Sequence, residues 1–187
     1  MKAIGWAILL SLFWTAPSVA TARDLQKFAD GRQVLMLRHA HAPGNGDPAN
    51  FQIDDCSTQR NLNEEGRQQA LRLGAYLRAQ GIENARILTS EWCRCWDTAE
   101  ELDVGDIEDF SGLNSFYTFP AMEGDWLEET RSLLLQFGRR TDEPVILVTH
   151  AVTIEAIAGV SVGSGEAVLL DLHPIGPPTF AERLIVR

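Results

Sequence analysis

The sequence predicts a single α/β domain of three layers, with a mostly parallel central sheet and helices on both faces. Apolar segments typical of strands alternate with amphipathic helices along the chain, which is the order of βαβ units. The strand segments are continuous apolar runs, and strands covered on both faces have that composition. With 187 residues, the chain is long enough for one such domain with a substantial core.

The first part of this domain is predicted as a short helix, a strand, a loop and a long helix. Residues 23–30 have the pattern of a short amphipathic helix, and residues 34–37 form the first buried strand. Residues 42–57 are rich in Gly, Pro, Asn and Asp, which predicts a loop. Residues 63–80 carry apolar side chains on one helical face, and Gly81 is suited to end that helix.

The middle of the chain is predicted as strand, helix, irregular segment and helix. Residues 87–89 form a short strand, and Ser90 stands where an N-cap would begin a helix that ends near residue 102. Residues 103–125 show no regular period, and residues 126–139 are predicted as the next helix.

The last part supplies a third buried strand over residues 145–148 and a helix over 152–159. Residues 168–172 and 184–186 are candidates for final strands. In open α/β sheets, ligands bind beyond the carboxyl ends of the strands. We therefore expect the residues that follow each strand to meet at one edge of the sheet.

The N-terminus has the features of an export signal. Lys2 precedes an apolar run over residues 3–14, Pro17 interrupts that run, and small residues follow up to Ala22. We predict a signal peptide over residues 1–22 and a domain over 23–187, in a periplasmic or secreted protein. The alternative is an N-terminal membrane anchor, but the run is shorter than the roughly 20 residues of a spanning helix. After signal removal, no stable membrane insertion is expected.

The net charge and the three cysteines limit the possible partners. The formal net charge is −10, which disfavours nucleic acid as a partner. Export permits a disulfide, and we expect Cys56 to pair with Cys93 or Cys95, leaving one free thiol. The spacing of Cys and His is not that of a zinc site, so neither metal nor cofactor is expected. The oligomeric state is left open.

Cationic and imidazole side chains recur at the predicted strand ends. Arg38 and His39 follow the first strand, His150 follows the third, and Arg94 lies near the start of a helix. A neutral imidazole is a competent nucleophile at neutral pH, and arginine can donate paired hydrogen bonds to phosphate oxygens. This combination, in an acidic protein, favours phosphoryl chemistry.

Four segments in order resemble the motifs of the histidine phosphatase superfamily, the phosphoglycerate-mutase-like group. The resemblance extends over about residues 32–187. The segments are LMLRHA at 35–40, LNEEGRQQA at 62–70, SEWCRCWDTAE at 90–100 and VTH at 148–150.

The resemblance implies a role for each matching residue. His39 would be the nucleophile, and Arg38, Arg94 and His150 would form the phosphate pocket. Asn45 falls where related enzymes often place an Asn against the phosphate, although a turn residue is an equal alternative. Arg60 is expected either to border this pocket or to pair with a nearby acid.

The sequence departs from the family pattern at two positions. Ala40 replaces the glycine of the RHG signature, and Ser115 occupies the place where a glutamate commonly protonates the leaving group. Glu123 is our candidate for that acid. Asp125 is an alternative, and some small family members act without such an acid.

The leading functional expectation is a periplasmic phosphatase that hydrolyses a small phosphate monoester through a phosphohistidine on His39. Export and the resemblance to small periplasmic members suggest a lipopolysaccharide core sugar phosphate as substrate. The alternatives are a non-catalytic protein that binds a phosphate ligand, a protein phosphohistidine phosphatase, and a mutase. The chain is short for a mutase and is expected to be exported away from glycolytic substrates.

Overall fold

A computed structural model describes residues 25–140 and 142–186, with the backbone alone at residue 140. The predicted signal peptide, residues 1–22, and the first part of the predicted helix 23–30 lie outside the described residues. Within the described ranges, no helix is both long enough and apolar enough to cross a membrane.

The predicted sheet is present and has six strands. They are β1 (Gln33–Arg38), β2 (Arg86–Thr89), β3 (Ile107–Asp109), β4 (Val145–Thr149), β5 (Ala167–Asp171) and β6 (Thr179–Leu184). Their order across the sheet is β3-β2-β4-β1-β5-β6. The first four strands in this order run parallel, whereas β5 is antiparallel to β1 and β6 is antiparallel to β5. The mostly parallel sheet is therefore confirmed.

The helices cover both faces of this sheet, as the three-layer prediction requires. They are α1 (Gln26–Ala29), α2 (Glu64–Ala79), α3 (Cys93–Leu102), α4 (Glu123–Arg140) and α5 (Ala151–Ala158). One buried cluster joins α1, α2 and α3 to alternate strand residues such as Leu35 and Leu37. The other joins α4 and α5 to the intervening residues, among them Val34 and Met36. The period-two alternation of β1 thus divides its apolar run between two cores.

The segment predicted as irregular, residues 103–125, contains more structure than expected. It includes β3, two short 3₁₀ turns at Ser111–Leu113 and Pro120–Met122, and the start of α4 at Glu123. Strand β3 has no recognisable sequence pattern, because it has only three residues at the sheet edge and two of them are exposed acids. The last strand also lies earlier in the chain than the predicted residues 184–186, because β6 extends over Thr179–Leu184.

The prediction that Ser90 is the N-cap of the next helix was wrong. Helix α3 begins at Cys93, and its N-cap residue Trp92 makes no side-chain capping bond. Ser90 lies two residues earlier, and its hydroxyl is buried against His150.

The path of the chain places α1 at one edge of the sheet and the predicted site at the other. Helix α1 leads into the first residue of β1, Gln33, whereas His39 follows the last. Strand β1 has six residues, which at about 3.3 Å per residue separates the two edges by roughly 20 Å.

Candidate active site

A cavity of about 220 Å³ opens at the carboxyl edge of the sheet, where the predicted site was expected. Five residues proposed from the sequence line this cavity: Arg38, His39, Asn45, Arg94 and His150. The structure brings these side chains together from β1, the loop after it, α3 and the end of β4.

The loop that follows β1 is fixed by residues of the motif-like segments. The Ala40 amide donates to the Thr98 hydroxyl at 2.9 Å, and the His41 amide donates to the Gln69 side chain at 3.0 Å. Helix α2 approaches so closely that a Cβ on Gly66 would lie 2.2 Å from the His41 carbonyl oxygen. Only glycine fits there, so these motif residues fix the position of the loop that follows β1.

His39 is presented as a neutral imidazole with a defined free nitrogen. Its amide donates to the Thr149 carbonyl at 2.9 Å, and its Nδ1 lies 2.8 Å from the Ala40 carbonyl oxygen. A carbonyl can only accept, so Nδ1 carries the proton and Nε2 keeps its lone pair. The Nε2 atom is therefore the nucleophile that this geometry offers.

Burial and positive charge keep this imidazole unprotonated. The side chain is 2% exposed. Burial, followed by the charge of Arg94, lowers the pKa of His39 to about 3. The imidazole of His39 is thus neutral at neutral pH.

His150 lies beside His39, with their ring centroids 5.5 Å apart. The Ser90 hydroxyl can donate its only hydrogen to the Asn114 side-chain oxygen, 3.1 Å away. With that hydrogen on Asn114, Ser90 accepts the 2.9 Å hydrogen bond from His150 Nε2, and in this tautomer that nitrogen carries the proton. Burial and then Arg94 hold the pKa of His150 well below its usual range, and Nδ1 is the nitrogen left to gain a proton.

Asp47 is the central residue that sequence reasoning missed. Its carboxylate accepts from both terminal nitrogens of Arg94, at 2.7 Å from Nη1 and 3.3 Å from Nη2. The two side chains are only 3% and 2% exposed. Asp47 thereby occupies the edge of the Arg94 guanidinium that carries Nη1 and Nη2. The edge that carries Nε is left for another partner.

Two further donors anchor the same carboxylate. The Arg60 amide and the Trp92 indole nitrogen both donate to Asp47, each at 3.1 Å. Burial by itself would raise the pKa of Asp47, but the hydrogen bond and charge of Arg94 outweigh it and the pKa is lowered. Asp47 is therefore ionised at neutral pH and fixes Arg94 in place. No local pattern reveals it, because its partners lie 13 to 47 residues away.

Three arginines supply the positive charge of the cavity. Arg60 borders it, as one of its two expected roles required, and donates to the carbonyls of Ala42 and Gly46. Arg38 donates from Nη1 to the Val162 carbonyl at 2.9 Å. Burial, and then repulsion from Arg94, lowers the pKa of both Arg38 and Arg60.

These cations leave donors for an anion. Among the described residues, the buried Nε atoms of Arg38 and Arg94 have no hydrogen-bond partner. Unpaired buried donors are costly, and an anion bound between the guanidinium groups would satisfy them. Helix α5 starts immediately after His150 and adds its positive end to the same cavity. Over the described ranges, no group of three or more His, Cys, Asp or Glu side chains could hold a metal ion.

The structure does not bring the candidate leaving-group acid to this cavity. Glu123 is exposed in the first turn of α4, and neither it nor Asp125 lines the cavity. Ser115 does line it and is 5% exposed, but a hydroxyl is not an equivalent acid. Asn45 lines the cavity from the exposed loop after β1, so its predicted location is matched and its role stays a prediction.

A disulfide joins this loop to α3, which confirms one of the two expected pairings. Cys56 and Cys93 are bonded, with their Cα atoms 5.7 Å apart. Cys95 is the free thiol, and burial raises its pKa to about 12. The disulfide thus ends one residue before Arg94, the partner of Asp47.

The chain matches the sequence model of the histidine phosphatase superfamily (branch 1) over residues 34–114. That segment contains His39, Asp47 and Arg94, whereas His150 lies beyond it. No curated protein sequence matches the chain.

Several solved structures share the fold. The protein histidine phosphatase SixA, in a tungstate complex, is 19% identical with a TM-score of 0.61, over 82% of this chain and 96% of its own. A SixA described as a putative phosphohistidine phosphatase, from Agrobacterium tumefaciens, is 20% identical with a TM-score of 0.59, over 84% and 99%. A mycobacterial glucosyl-3-phosphoglycerate phosphatase in complex with VO3 is 18% identical with a TM-score of 0.54, over 76% and 95%.

At this level of identity the solved structures establish the fold, and the sequence match covers the segment that carries most of the cavity. The chain is therefore similar to the histidine phosphatase superfamily in sequence over residues 34–114 and in fold over 76% to 84% of its length.

Proposed function

We propose that the protein is a phosphatase that hydrolyses a phosphate monoester through a phosphohistidine formed at Nε2 of His39. The observation that carries this proposal is the bond from His39 Nδ1 to the Ala40 carbonyl. It leaves Nε2 unprotonated in a cavity lined by three arginines and a second histidine.

The reaction follows from this arrangement in two steps. The Nε2 lone pair attacks phosphorus, the P–N bond forms, and the P–O bond to the leaving group breaks. Water then attacks the phosphohistidine, which releases phosphate and restores the imidazole. Arg38, Arg94 and His150 would stabilise the charge on the equatorial oxygens, which is the main task of a phosphoryl-transfer catalyst.

The named neighbours support the phosphatase activity and leave the substrate open. One is described as a protein histidine phosphatase and another as a glucosyl-3-phosphoglycerate phosphatase. A phosphohistidine protein is our second candidate substrate, because Asp47 is the only carboxylate that lines the cavity in the described part of the chain, and it is held by Arg94. Phosphohistidine needs little protonation of its leaving group.

Hydrolysis of p-nitrophenyl phosphate tests the activity. We expect turnover that resists a chelator and falls by at least about 10³-fold in His39→Ala, because the nucleophile is removed. His173→Ala is the matched control, since His173 pairs with Thr179 outside the cavity and should retain activity. A folded His39→Ala protein with wild-type turnover would contradict the mechanism.

We also propose that the protein acts in the periplasm. A lipopolysaccharide core sugar phosphate is the candidate for an aliphatic substrate, as the alternative to the aryl phosphate inferred below. Expression of the full chain followed by cell fractionation tests the location. Mass spectrometry of lipopolysaccharide incubated with wild type and with His39→Ala tests the substrate. Loss of one phosphate that requires His39 would support it, and unchanged lipopolysaccharide would contradict it.

A further inference from the structure

An apolar groove of about 430 Å³ lies next to the phosphate cavity. Its apolar walls are the side chains of Phe51, Ile53, Trp92, Phe119, Met122 and Trp126. Four of these are aromatic and pack on each other, with ring centroids from 5.2 Å to 6.4 Å apart. The groove is therefore a built aromatic surface.

Trp92 connects the groove to residues that line the phosphate cavity. The Trp92 indole nitrogen bonds to Asp47 on the cavity side, and its ring lies 5.4 Å from that of His150. The same ring stacks on Phe51 in the groove, at 5.2 Å. A group attached to a phosphate at His39 thus has an aromatic surface within reach.

One short segment also passes from the cavity into the groove. Ser115, Tyr117 and Thr118 line the phosphate cavity, and Phe119 lines the groove. Tyr117 is 66% exposed, and its ring lies close to Gly46 on the facing loop. Residues 115–119 therefore border first the cavity and then the groove.

Several groove side chains remain open to water. Ile53, Phe119 and Met122 are each 38% exposed. An apolar group on the substrate is the occupant that the position of the groove beside the phosphate cavity favours.

The carboxylates next to the leaving group are already engaged: Glu91, which lines the groove, accepts a hydrogen bond from the Asn114 side chain. Both Asp47 oxygens are bound by Arg94, and Ser115 stands at the usual position of the acid. A phenol has a pKa of about 10, as tyrosine does, so it leaves as the anion far more readily than an aliphatic alcohol. The aromatic walls of the groove and the lack of an available acid thus both favour a phenol as the leaving group.

We propose, building on the phosphatase function above, that the substrate is an aryl phosphate whose ring lies in this groove while its phosphate lies against His39. The P–O bond to the ring oxygen breaks as the P–N bond to His39 forms. The phenolate that departs takes a proton from water.

The test compares 2-naphthyl phosphate, phenyl phosphate and acetyl phosphate, which has a good leaving group but no apolar body. We expect kcat/KM for 2-naphthyl phosphate to exceed that for phenyl phosphate about 5- to 10-fold, because the second ring buries more apolar area. Phe119→Ser and Met122→Ser should each lower the ratio of naphthyl to acetyl phosphate turnover about 3- to 10-fold. The matched control is Phe180→Ser, at a residue that is 43% exposed on β6 and should leave this ratio unchanged.

The outcomes separate the two proposals. If acetyl phosphate is hydrolysed through His39 but the naphthyl preference is absent, or is unchanged by Phe119→Ser, the aryl inference is overturned and the phosphatase function stands. If the folded protein hydrolyses none of the three, both are overturned. A phosphotyrosine peptide that outperforms 2-naphthyl phosphate would identify a protein as the source of the aryl phosphate, and the reverse would identify a small molecule.

Discussion

The cavity has two halves that are held in different ways. The strand-end half consists of Arg38, His39 and His150, which follow β1 and β4 and take their positions from parallel strand pairing. The loop half consists of residues 42–61, which include Asp47 and contain no strand or α-helix. Its place is fixed by the Cys56–Cys93 disulfide and by side-chain bonds to α3.

The two halves of the cavity differ in the kind of interaction that holds their side chains in place. Strand ends are held by backbone hydrogen bonds and two apolar clusters, so one side chain can change with little displacement of its neighbours. The loop half depends on a few polar contacts and one covalent bond. Loss of any one of these interactions is therefore expected to weaken the others. We therefore expect variants of the loop half to lose stability and phosphate binding together, and variants of the strand-end half to lose mainly chemistry.

The largest expected effect in the loop half is that of Asp47→Ala. Removing this carboxylate leaves the Arg94 guanidinium buried without its counter-charge, which costs about 3–5 kcal/mol of unfolding free energy. Urea unfolding measures the loss. Glu108→Ala is the matched control, because its ion pair with Arg86 is exposed and worth at most about 1 kcal/mol. Equal losses in the two variants would contradict the role of Asp47.

The next effect is that of the double variant Cys56→Ser and Cys93→Ser. The disulfide closes a loop between residues 37 apart, and chain entropy predicts a loss of about 2–4 kcal/mol. Because the loop also carries Asp47, we expect weaker inorganic phosphate binding by calorimetry as well. Unchanged phosphate affinity in a destabilised protein would show that the disulfide supports the fold alone.

The two buried histidines of the strand-end half should make the free energy of unfolding depend on pH. The pKa of His39 is lowered to about 3 and that of His150 is also lowered, so below pH 6.5 the unfolded state binds protons that the folded state excludes. Stability must then fall as the pH falls, by about 2 kcal/mol for His39 between pH 6.5 and 5, and His150 adds to the fall in the same direction. His39→Asn should remove its share of this slope. A slope unaffected by His39→Asn would contradict the burial of a neutral imidazole.

The smallest expected effect is proton uptake on phosphate binding. A bound dianion favours the imidazolium form of His150, so binding should raise the pKa of this group and take up a fraction of a proton near pH 6. Calorimetry in buffers of different ionisation enthalpy measures this uptake. His150→Gln should lack it, and uptake of the same size in that variant would assign the proton to another group.

Most of the strand-end half could be predicted from the sequence. The apolar runs of β1 and β4 end at His39 and His150, and strand ends in parallel sheets meet at one edge. Arg94 was also predicted, because it lies in a motif-like segment. The fold class and the parallel strands followed from equally local signals, whereas the sequence left two pairings of Cys56 open.

The loop half could not be predicted to the same extent. Asp47 pairs with a residue 47 positions away, and nothing in its neighbourhood distinguishes it from a turn residue. Glu123 is the converse case: it was chosen for its proximity in sequence to the expected acid position, but it does not line the cavity, and its role stays a prediction. Loop contacts of this kind depend on three-dimensional placement, which residue spacing does not encode.

The position of α1 relative to the cavity has a practical consequence for handling the protein. Because α1 joins the sheet roughly 20 Å from the edge that carries His39, a linker fused ahead of Leu25 would attach on the side away from the cavity. Protein immobilised on a sensor chip or a bead through that linker would present its phosphate cavity to the solution.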